Sequence, residues 1–283
     1  MLALPAQAAE RYVALGDSLA AGQTPNRMID AGYTDFIALR LATRGELAHF
    51  TKELAFSGFT TAQVLERVQE PYAQSLLQQA TLITISAGAN DLLGLVNVNR
   101  QTGDVTFDQL TADFALNNVR QNIAETIQEL AVRAPKAKVF IIGYYFPYPH
   151  VHAAQKAGLA AQLDTLNAIL QQEAQMYGAT FIDVAPRYNM DATHYLPNAA
   201  DVHPNFDGYM AMANAFFAHE GMRELTAAEL PKPNPLTFEQ VLEKLQQAQQ
   251  NVAQAEQQLA AAPLDAYVVP HGVRALERLY AVR

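Results

Sequence analysis

The 283-residue chain has no cysteine and no tryptophan, and only four of its residues are serine: Ser18, Ser57, Ser75 and Ser86. The absence of cysteine excludes a thiol nucleophile, a disulfide and a thiolate-bound metal. Charged residues make up only 17% of the chain, and the formal net charge is −9. An acidic chain without a run of Lys or Arg is not expected to bind nucleic acid or an anionic lipid surface.

Long apolar runs are also missing, so no integral membrane segment is predicted. The first residues have no basic region, but Ala6-Gln7-Ala8 has the small-x-small pattern that ends a secretory signal. We therefore expect residues 1–9 to be the remnant of a signal peptide or a flexible N-terminus. A signal remnant predicts a secreted protein, and a cytoplasmic protein is the alternative.

Short apolar runs alternate with amphipathic stretches along most of the chain. The predicted strands are Tyr12–Leu15, His49–Leu54, Leu82–Ser86, Val139–Ile142 and Thr180–Val184. The predicted helices are Thr34–Thr43, Thr61–Val68, Tyr72–Gln79, Phe107–Arg133 (opened by a capping box at Thr106-x-x-Gln109), Ala157–Tyr177 and Phe206–His219. This order predicts right-handed crossovers and a parallel sheet covered on both faces. The predicted fold class is α/β: a flavodoxin-like three-layer α/β/α sandwich with a five-stranded parallel sheet, plus a C-terminal helical extension.

Alternating prolines at 231–235 predict a stiff linker, because proline cannot lie inside a helix. We therefore place a main domain at residues 10–230 and a helical extension at 236–283. Within the extension, apolar residues recur every seven positions, as in a hairpin or coiled coil, at Phe238, Leu245, Val252 and Leu259. This seam can pack on a last helix at Val273–Val282, on the main domain or on a second chain. We favour the intrachain hairpin, which predicts a monomer.

A short apolar strand runs into Gly16-Asp17-Ser18, which places a serine at the carboxyl edge of the sheet, where such folds bind ligands. Ser18 is either a nucleophile or the N-cap of the next helix. The loop after the second strand contains Gly58, which is either an oxyanion donor through its N–H or a simple turn residue. The loop after the third strand contains Asn90, which is either an oxyanion donor or a cap.

Late in the chain, His203 has a carboxylate two residues before it, at Asp201, and a proline directly after it. A histidine oriented by a carboxylate is the usual base for a serine nucleophile. With Ser18 at a sheet edge, we favour this role for His203 over a structural one.

Four blocks, Gly16-Asp17-Ser18, Ser57-Gly58, Gly88-x-Asn90-Asp91 and His203-Pro204, resemble in type and order those of the GDSL/SGNH hydrolase family. The resemblance covers roughly residues 11 to 220 and is greatest to secreted bacterial lipases and esterases. It implies that the main domain is of SGNH type, that Ser18 is the nucleophile and that His203 is the base. It further implies an oxyanion hole of the Ser18 N–H, the Gly58 N–H and the Asn90 side chain, with no cofactor and no metal. No serine lies in a Gly-x-Ser-x-Gly motif, which disfavours an α/β-hydrolase.

The chain departs from this family at two positions. The usual acid lies three residues before the histidine, where this chain has Ala200. In an extended segment, the one-residue shift turns Asp201 to the other side. Either the loop is turned so that Asp201 reaches the imidazole, or a backbone carbonyl near Ala200 orients the ring. We favour Asp201, since a charge orients an imidazole more strongly. The second departure is Glu53, where relatives often have Asn.

Other polar residues near these blocks are interpreted as structural. Asp17 and Asp91 are expected to bind nearby N–H groups, and Asp183 is expected to end a strand. His150 and His152 have a spacing compatible with a metal, but a surface loop is preferred.

Two apolar segments are predicted to line the substrate site, or else to pack in the core. They are the aromatic loop at 143–149 and the segment Leu92–Val96. The sequence as a whole predicts a serine-dependent carboxylic-ester hydrolase, a lipase or esterase, that acts on lipid or small esters through an acyl-enzyme. The alternatives are a carbohydrate or peptidoglycan O-deacetylase with the same site, and a non-catalytic flavodoxin-like binding module.

Overall fold

The computed structural model describes residues 9–99, 104–244, 246–247 and 250. The strands, in chain order, are β1 (Glu10–Gly16), β2 (Leu47–Ala55), β3 (Leu82–Ser86), β4 (Asn97–Val98), β5 (Val105–Thr106), β6 (Lys138–Ile142) and β7 (Thr180–Ile182). Five of them form one parallel sheet in the order β2-β1-β3-β6-β7. The other two form a small antiparallel ribbon.

The helices are α1 (Ser18–Ala21), α2 (Tyr33–Thr43), α3 (Thr61–Gln69), α4 (Pro71–Leu77), α5 (Ala89–Leu93), α6 (Gln109–Arg133), α7 (Ala153–Tyr177) and α8 (Phe206–His219). Helices α2 and α8 pack on each other, while α6 packs on both α3 and α7. These two groups cover the two faces of the sheet, so the predicted three-layer sandwich is confirmed.

The central strands are apolar because both faces of the sheet are covered. Residues 12–15 of β1 are wholly buried, and every residue of β3 is buried. From β1 the chain first adds β2 on one side and then returns to add β3 on the other side. In open α/β sheets, the crevice at such a reversal, beyond the carboxyl ends of the strands, is where ligands bind. The loops that follow β1 and β3 therefore border the expected site.

The predicted helix boundaries hold at α8 but need correction at α6. The capping box at Thr106 is wrong, since Thr106 belongs to β5 and the N-cap is Asp108, whose carboxylate accepts the Thr111 N–H at 2.8 Å. Strand β5 takes the place of the expected N-cap, and the helix begins two residues later than predicted, at Gln109. Helices α1 and α5 and this ribbon were not predicted. Within the described ranges, no helix combines the length and apolarity that crossing a bilayer requires.

The chain divides into two units, residues 1–238 and 239–283. In the first unit, the proline-rich segment is bound to the loop after α1: Leu236 and Ile29 exchange two backbone hydrogen bonds of 2.7 and 2.8 Å. A helical stretch begins at Phe238. The later seam positions, the predicted last helix and residues 1–8 lie outside the described residues. The predicted linker at 231–235 and the predicted extension at 236–283 therefore stay predictions.

Candidate active site

Ser18 lies directly after β1, in the first turn of α1, and is only 7% exposed. The N-cap of this helix is Asp17, not Ser18, because the Asp17 carboxylate accepts the Leu19 N–H at 3.0 Å. The Ser18 hydroxyl is therefore not used as a cap. It is presented at the carboxyl end of β1.

The Ser18 hydroxyl contacts a histidine that lies 185 residues later in the chain: Oγ is 2.8 Å from Nε2 of His203. The other ring nitrogen of His203, Nδ1, is 2.6 Å from Oδ1 of Asp201. The structure thus brings together the three residues that the sequence predicted, in the order hydroxyl, imidazole, carboxylate.

Asp201 reaches the ring because its loop is turned rather than extended. The same carboxylate oxygen also accepts the backbone N–H of His203, at 2.8 Å, and the Asp201 N–H donates to the Asn198 carbonyl at 3.0 Å. An aspartate that accepts the N–H two residues later closes a tight local turn. The side-chain direction expected for an extended segment therefore does not apply.

The protonation of this pair follows from its contacts. Burial alone would raise the pKa of Asp201, but the hydrogen bonds from His203 and its charge outweigh burial and hold that pKa below its ordinary value. An ionised carboxylate can only accept, so Nδ1 of His203 carries a proton. In the neutral imidazole, Nε2 is then the free acceptor that faces the Ser18 hydroxyl.

The loop that carries His203 is held in place by the loop that follows β6. The Tyr145 hydroxyl donates to the Val202 carbonyl at 2.8 Å. The Tyr145 ring stacks on Tyr188 with centroids 4.3 Å apart, and the Tyr188 hydroxyl donates to Gly208 in α8 at 2.6 Å. These contacts hold the backbone on both sides of His203.

Asp17 is 1% exposed and joins three segments of the chain at the sheet edge. Besides the Leu19 N–H, its carboxylate accepts the Ser86 hydroxyl at 2.8 Å and the Tyr144 hydroxyl at 2.6 Å. Burial raises the pKa of Asp17, and these hydrogen bonds reduce that rise. Asp17 is structural, as expected, and it holds the turn that carries Ser18.

The loops after β2 and β3 are joined by side-chain bonds. Asn90 Nδ2 donates to the Phe59 carbonyl at 2.9 Å, and the Asp91 carboxylate accepts the N–H and hydroxyl of Thr61 at 2.9 and 2.7 Å. Gly58 has a φ of +87°, a conformation that favours glycine. In the described part of the chain, neither the Ser18 N–H nor the Gly58 N–H has a hydrogen-bond acceptor. The Asn90 amide keeps one N–H beyond its bond to Phe59.

Ser18 and His203 lie in the wall of an open cleft. Both segments predicted to form its walls are found there, including Leu92, Leu93, Tyr145 and Tyr148. Burial raises the pKa of Tyr148 to about 12, so this ring stays neutral.

A third wall of the cleft, which no sequence pattern indicated, comes from α7 through Leu159, Leu163 and Leu166. Leucines at this spacing look the same as an ordinary core-facing stripe of a helix.

Three other polar residues that the sequence singled out bind nearby groups. His150 Nε2 lies 2.7 Å from the Leu196 carbonyl, and Asp183 accepts the Ala185 N–H at 3.0 Å just after β7. Glu53 accepts the Tyr72 hydroxyl. No grouping of three metal-ligating side chains occurs in the described ranges.

Comparison with known proteins identifies the family. The model of the GDSL-like lipase/acylhydrolase family matches residues 14–211. The chain belongs to this family and is an ester hydrolase. Among curated proteins, it is similar to the spore germination lipase LipC of Bacillus licheniformis, with 24% identity over 206 residues, which are 72% of this chain and 92% of LipC.

Solved structures of GDSL esterases and lipases share the fold. The lipase Lip_vut3 from a goat rumen metagenome superposes with a TM-score of 0.62 at 21% identity, over 75% of this chain and 98% of that one. The acetylxylan esterase Axe2 of Geobacillus stearothermophilus superposes with a TM-score of 0.55 at 16% identity, over 79% and 100%. At these identities, the likeness shows the fold alone.

Proposed function

We propose that this GDSL hydrolase is a lipase or esterase that cleaves carboxylic esters of apolar acyl chains through an acyl-enzyme at Ser18. The observation that carries this proposal is the chain of contacts from Ser18 through His203 to Asp201, which opens into an apolar cleft. Hydroxyl, imidazole and carboxylate in this order are the parts of a serine hydrolase.

In the proposed reaction, Ser18 Oγ attacks the ester carbonyl carbon while its proton passes to Nε2 of His203. The tetrahedral intermediate then breaks its bond to the alcohol oxygen, which takes that proton from His203 and leaves. A water molecule, deprotonated by the same nitrogen, attacks the acyl-Ser18 carbonyl. The acid is released, and the proton returns to Ser18.

The negative oxygen of each intermediate is stabilised by the Ser18 N–H, the Gly58 N–H and the Asn90 amide. Two observations support this assignment: among the residues that the structure describes, neither backbone N–H has an acceptor, and Asn90 is bonded to the loop that contains Gly58. Removing one such donor typically lowers kcat by about 10²–10³.

The cleft supports an apolar acyl chain as the preferred substrate group. Its walls are mainly leucines and aromatic rings from α5, α7 and the loop after β6. Each methylene that leaves water for such a wall contributes about 0.8 kcal/mol, which is roughly a fourfold change in binding. We therefore expect kcat/KM to rise with chain length until the cleft is filled.

The test compares p-nitrophenyl esters with wild type, Ser18→Ala and Asn90→Ala. We expect Ser18→Ala to be nearly inactive and to lose labelling by an organophosphate probe, which adds covalent mass to Ser18 in the wild type. Asn90→Ala should keep residual activity with the label intact. Equal, mild losses in both variants would contradict these roles, and no label on folded wild type would favour the non-catalytic binding module.

O-deacetylation of a carbohydrate is the second candidate function, since Axe2, an acetylxylan esterase, shares the fold. The apolar walls favour a longer acyl group, because an acetyl group leaves most of them uncovered. Acetyl and dodecanoyl esters of one alcohol separate the two functions. A higher kcat/KM for the acetyl ester would support the deacetylase.

Secretion and a monomeric state complete the proposal. The Ala6-Gln7-Ala8 pattern and the lack of cysteine are compatible with export. N-terminal sequencing of protein recovered from culture medium tests export, and light scattering with size exclusion tests the monomer. A full-length N-terminus found only in the cell would favour the cytoplasmic alternative.

A further inference from the structure

A glutamine that no sequence pattern singled out lies against the imidazole. Gln23 follows the tight turn that ends α1, it is 9% exposed, and its side-chain amide lies 3.1 Å from Nδ1 of His203. This is the same ring nitrogen that contacts Asp201. Two side chains therefore share one ring nitrogen, and only one of them is an acid.

The backbone of Gln23 is tied to both halves of the site. Its N–H donates to the Ser18 carbonyl at 2.9 Å, and its carbonyl accepts the Tyr209 hydroxyl of α8 at 2.6 Å. It also forms an antiparallel bridge with Ile29, which in turn pairs with Leu236. The side-chain amide thus starts from a fixed point between the serine turn and the histidine loop.

Chemistry decides which end of the amide faces the ring. Nδ1 carries its proton because its 2.6 Å contact is with the carboxylate of Asp201, whose oxygen already accepts another N–H. An N–H of Gln23 cannot donate to a nitrogen that is itself a donor. The two ends of a carboxamide have nearly the same shape, so turning the amide over places Oε1 against Nδ1–H.

We infer that Gln23 is a positioning residue, whose amide oxygen shares the Nδ1–H of His203 with Asp201. The inference rests on the proposed function and extends it. A second acceptor keeps the ring in the tautomer with Nε2 free and stabilises the imidazolium that forms when Ser18 loses its proton. It also gives the ring a partner when the carboxylate is removed.

The first test is one substitution in two backgrounds, wild type and Asp201→Ala. Gln23→Met keeps the length of the side chain but removes the acceptor, and we expect kcat to fall about fivefold, the worth of one neutral hydrogen bond. KM should stay unchanged, because Gln23 does not line the cleft. In an Asp201→Ala background, Gln23 is the remaining side-chain acceptor, so the same substitution should cost at least about tenfold more than in wild type.

The second test returns a carboxylate to the ring from the other side. Gln23→Glu should restore at least about tenfold of the kcat that Asp201→Ala loses. In wild type, it should move the acid limb of the kcat/KM profile to higher pH, by about one unit, because a new negative charge favours the imidazolium. The other charged groups that act on this pair are Asp17 on the ring and Arg27 on Asp201, and both are unchanged in these variants.

Gln74→Met is the matched control, since Gln74 accepts from Arg133 on another part of the surface and should not affect kcat. Thermal unfolding of each variant checks that it is folded, and if Gln23→Met fails to fold, the Gln23→Glu results decide. Equal fold-losses for Gln23→Met in both backgrounds, or no rescue by Gln23→Glu, would overturn the inference. An active Ser18→Ala would instead overturn the proposed function.

Discussion

Removal of the Tyr144 hydroxyl tests whether the buried Asp17 carboxylate depends on its donors. Asp17 accepts the Leu19 N–H and the hydroxyls of Ser86 and Tyr144, and it is shielded from water. A hydrogen bond to a charged group contributes about 1.5–3 kcal/mol. Tyr144→Phe keeps the ring in the cleft wall, so we expect the free energy of unfolding to fall by about 2 kcal/mol at about pH 8.

The sign of the pH dependence follows from the raised pKa of Asp17. Because its folded pKa lies above its unfolded value, the folded state takes up a proton first as the pH falls. The folded state therefore gains stability relative to the unfolded chain between the folded pKa and the unfolded one. Loss of a donor raises the folded pKa further, so the deficit of Tyr144→Phe should shrink as Asp17 becomes protonated.

The assay is urea unfolding of wild type and variant at about pH 8 and at the lowest pH at which the wild type stays folded. Tyr145→Phe is the matched control, because its hydroxyl donates to the neutral Val202 carbonyl. The free energy of unfolding of Tyr145→Phe should fall by about 1 kcal/mol at both pH values. An equal loss in the free energy of unfolding of Tyr144→Phe at both pH values would contradict the role assigned to Asp17.

Four further substitutions test two turns, the outer helix layer and the cleft. A methyl group at Gly16 would lie 2.1 Å from a backbone oxygen, whereas Gly58 has open space and only a φ of +87°. We expect Gly16→Ala to give no folded protein, whereas the free energy of unfolding of Gly58→Ala, measured with urea, should fall by about 1–2 kcal/mol. Equal losses in the two variants would contradict this prediction. Arg40 is buried and binds two acceptors in segment 224–229. The free energy of unfolding of Arg40→Met should therefore fall by about 2–3 kcal/mol, while kcat/KM stays unchanged. A change in kcat/KM would contradict this prediction. Ala112→Phe should fill the cleft and move the ester preference to shorter chains, and an unchanged chain-length profile would contradict the assigned cleft.

The sheet and its long helices were predictable because burial repeats along them. Strand β3 and helix α8 lie where their apolar patterns begin and end. By contrast, α1 and α5 span four and five residues, too few for a period to be read. Their positions depend on contacts across the sheet edge, such as those of Asp17, which no local pattern reports.

The candidate site, like the fold, was predictable only in part. Ser18, Asn90 and His203 each lie in a recognisable sequence block, and the parallel topology brings these blocks to one edge of the sheet. The direction of Asp201 did not follow, because a turn closed by its own carboxylate replaced the extended backbone that the alternation rule assumes. Gln23 had no signal at all. A glutamine in a loop becomes informative only when the fold brings it within 3.1 Å of a ring 180 residues away.

The long separation between the serine and the histidine makes the site a product of the whole domain. The turn at Ser18 is local, but His203 reaches it through α8, Tyr145 and the loop that carries Gln23. That loop is tied to segment 231–236 by Leu236. Chain that follows the last core helix is therefore bound next to the groups that orient the imidazole. Loosening this segment should lower kcat before it lowers the stability of the sheet, because the sheet makes its contacts without it.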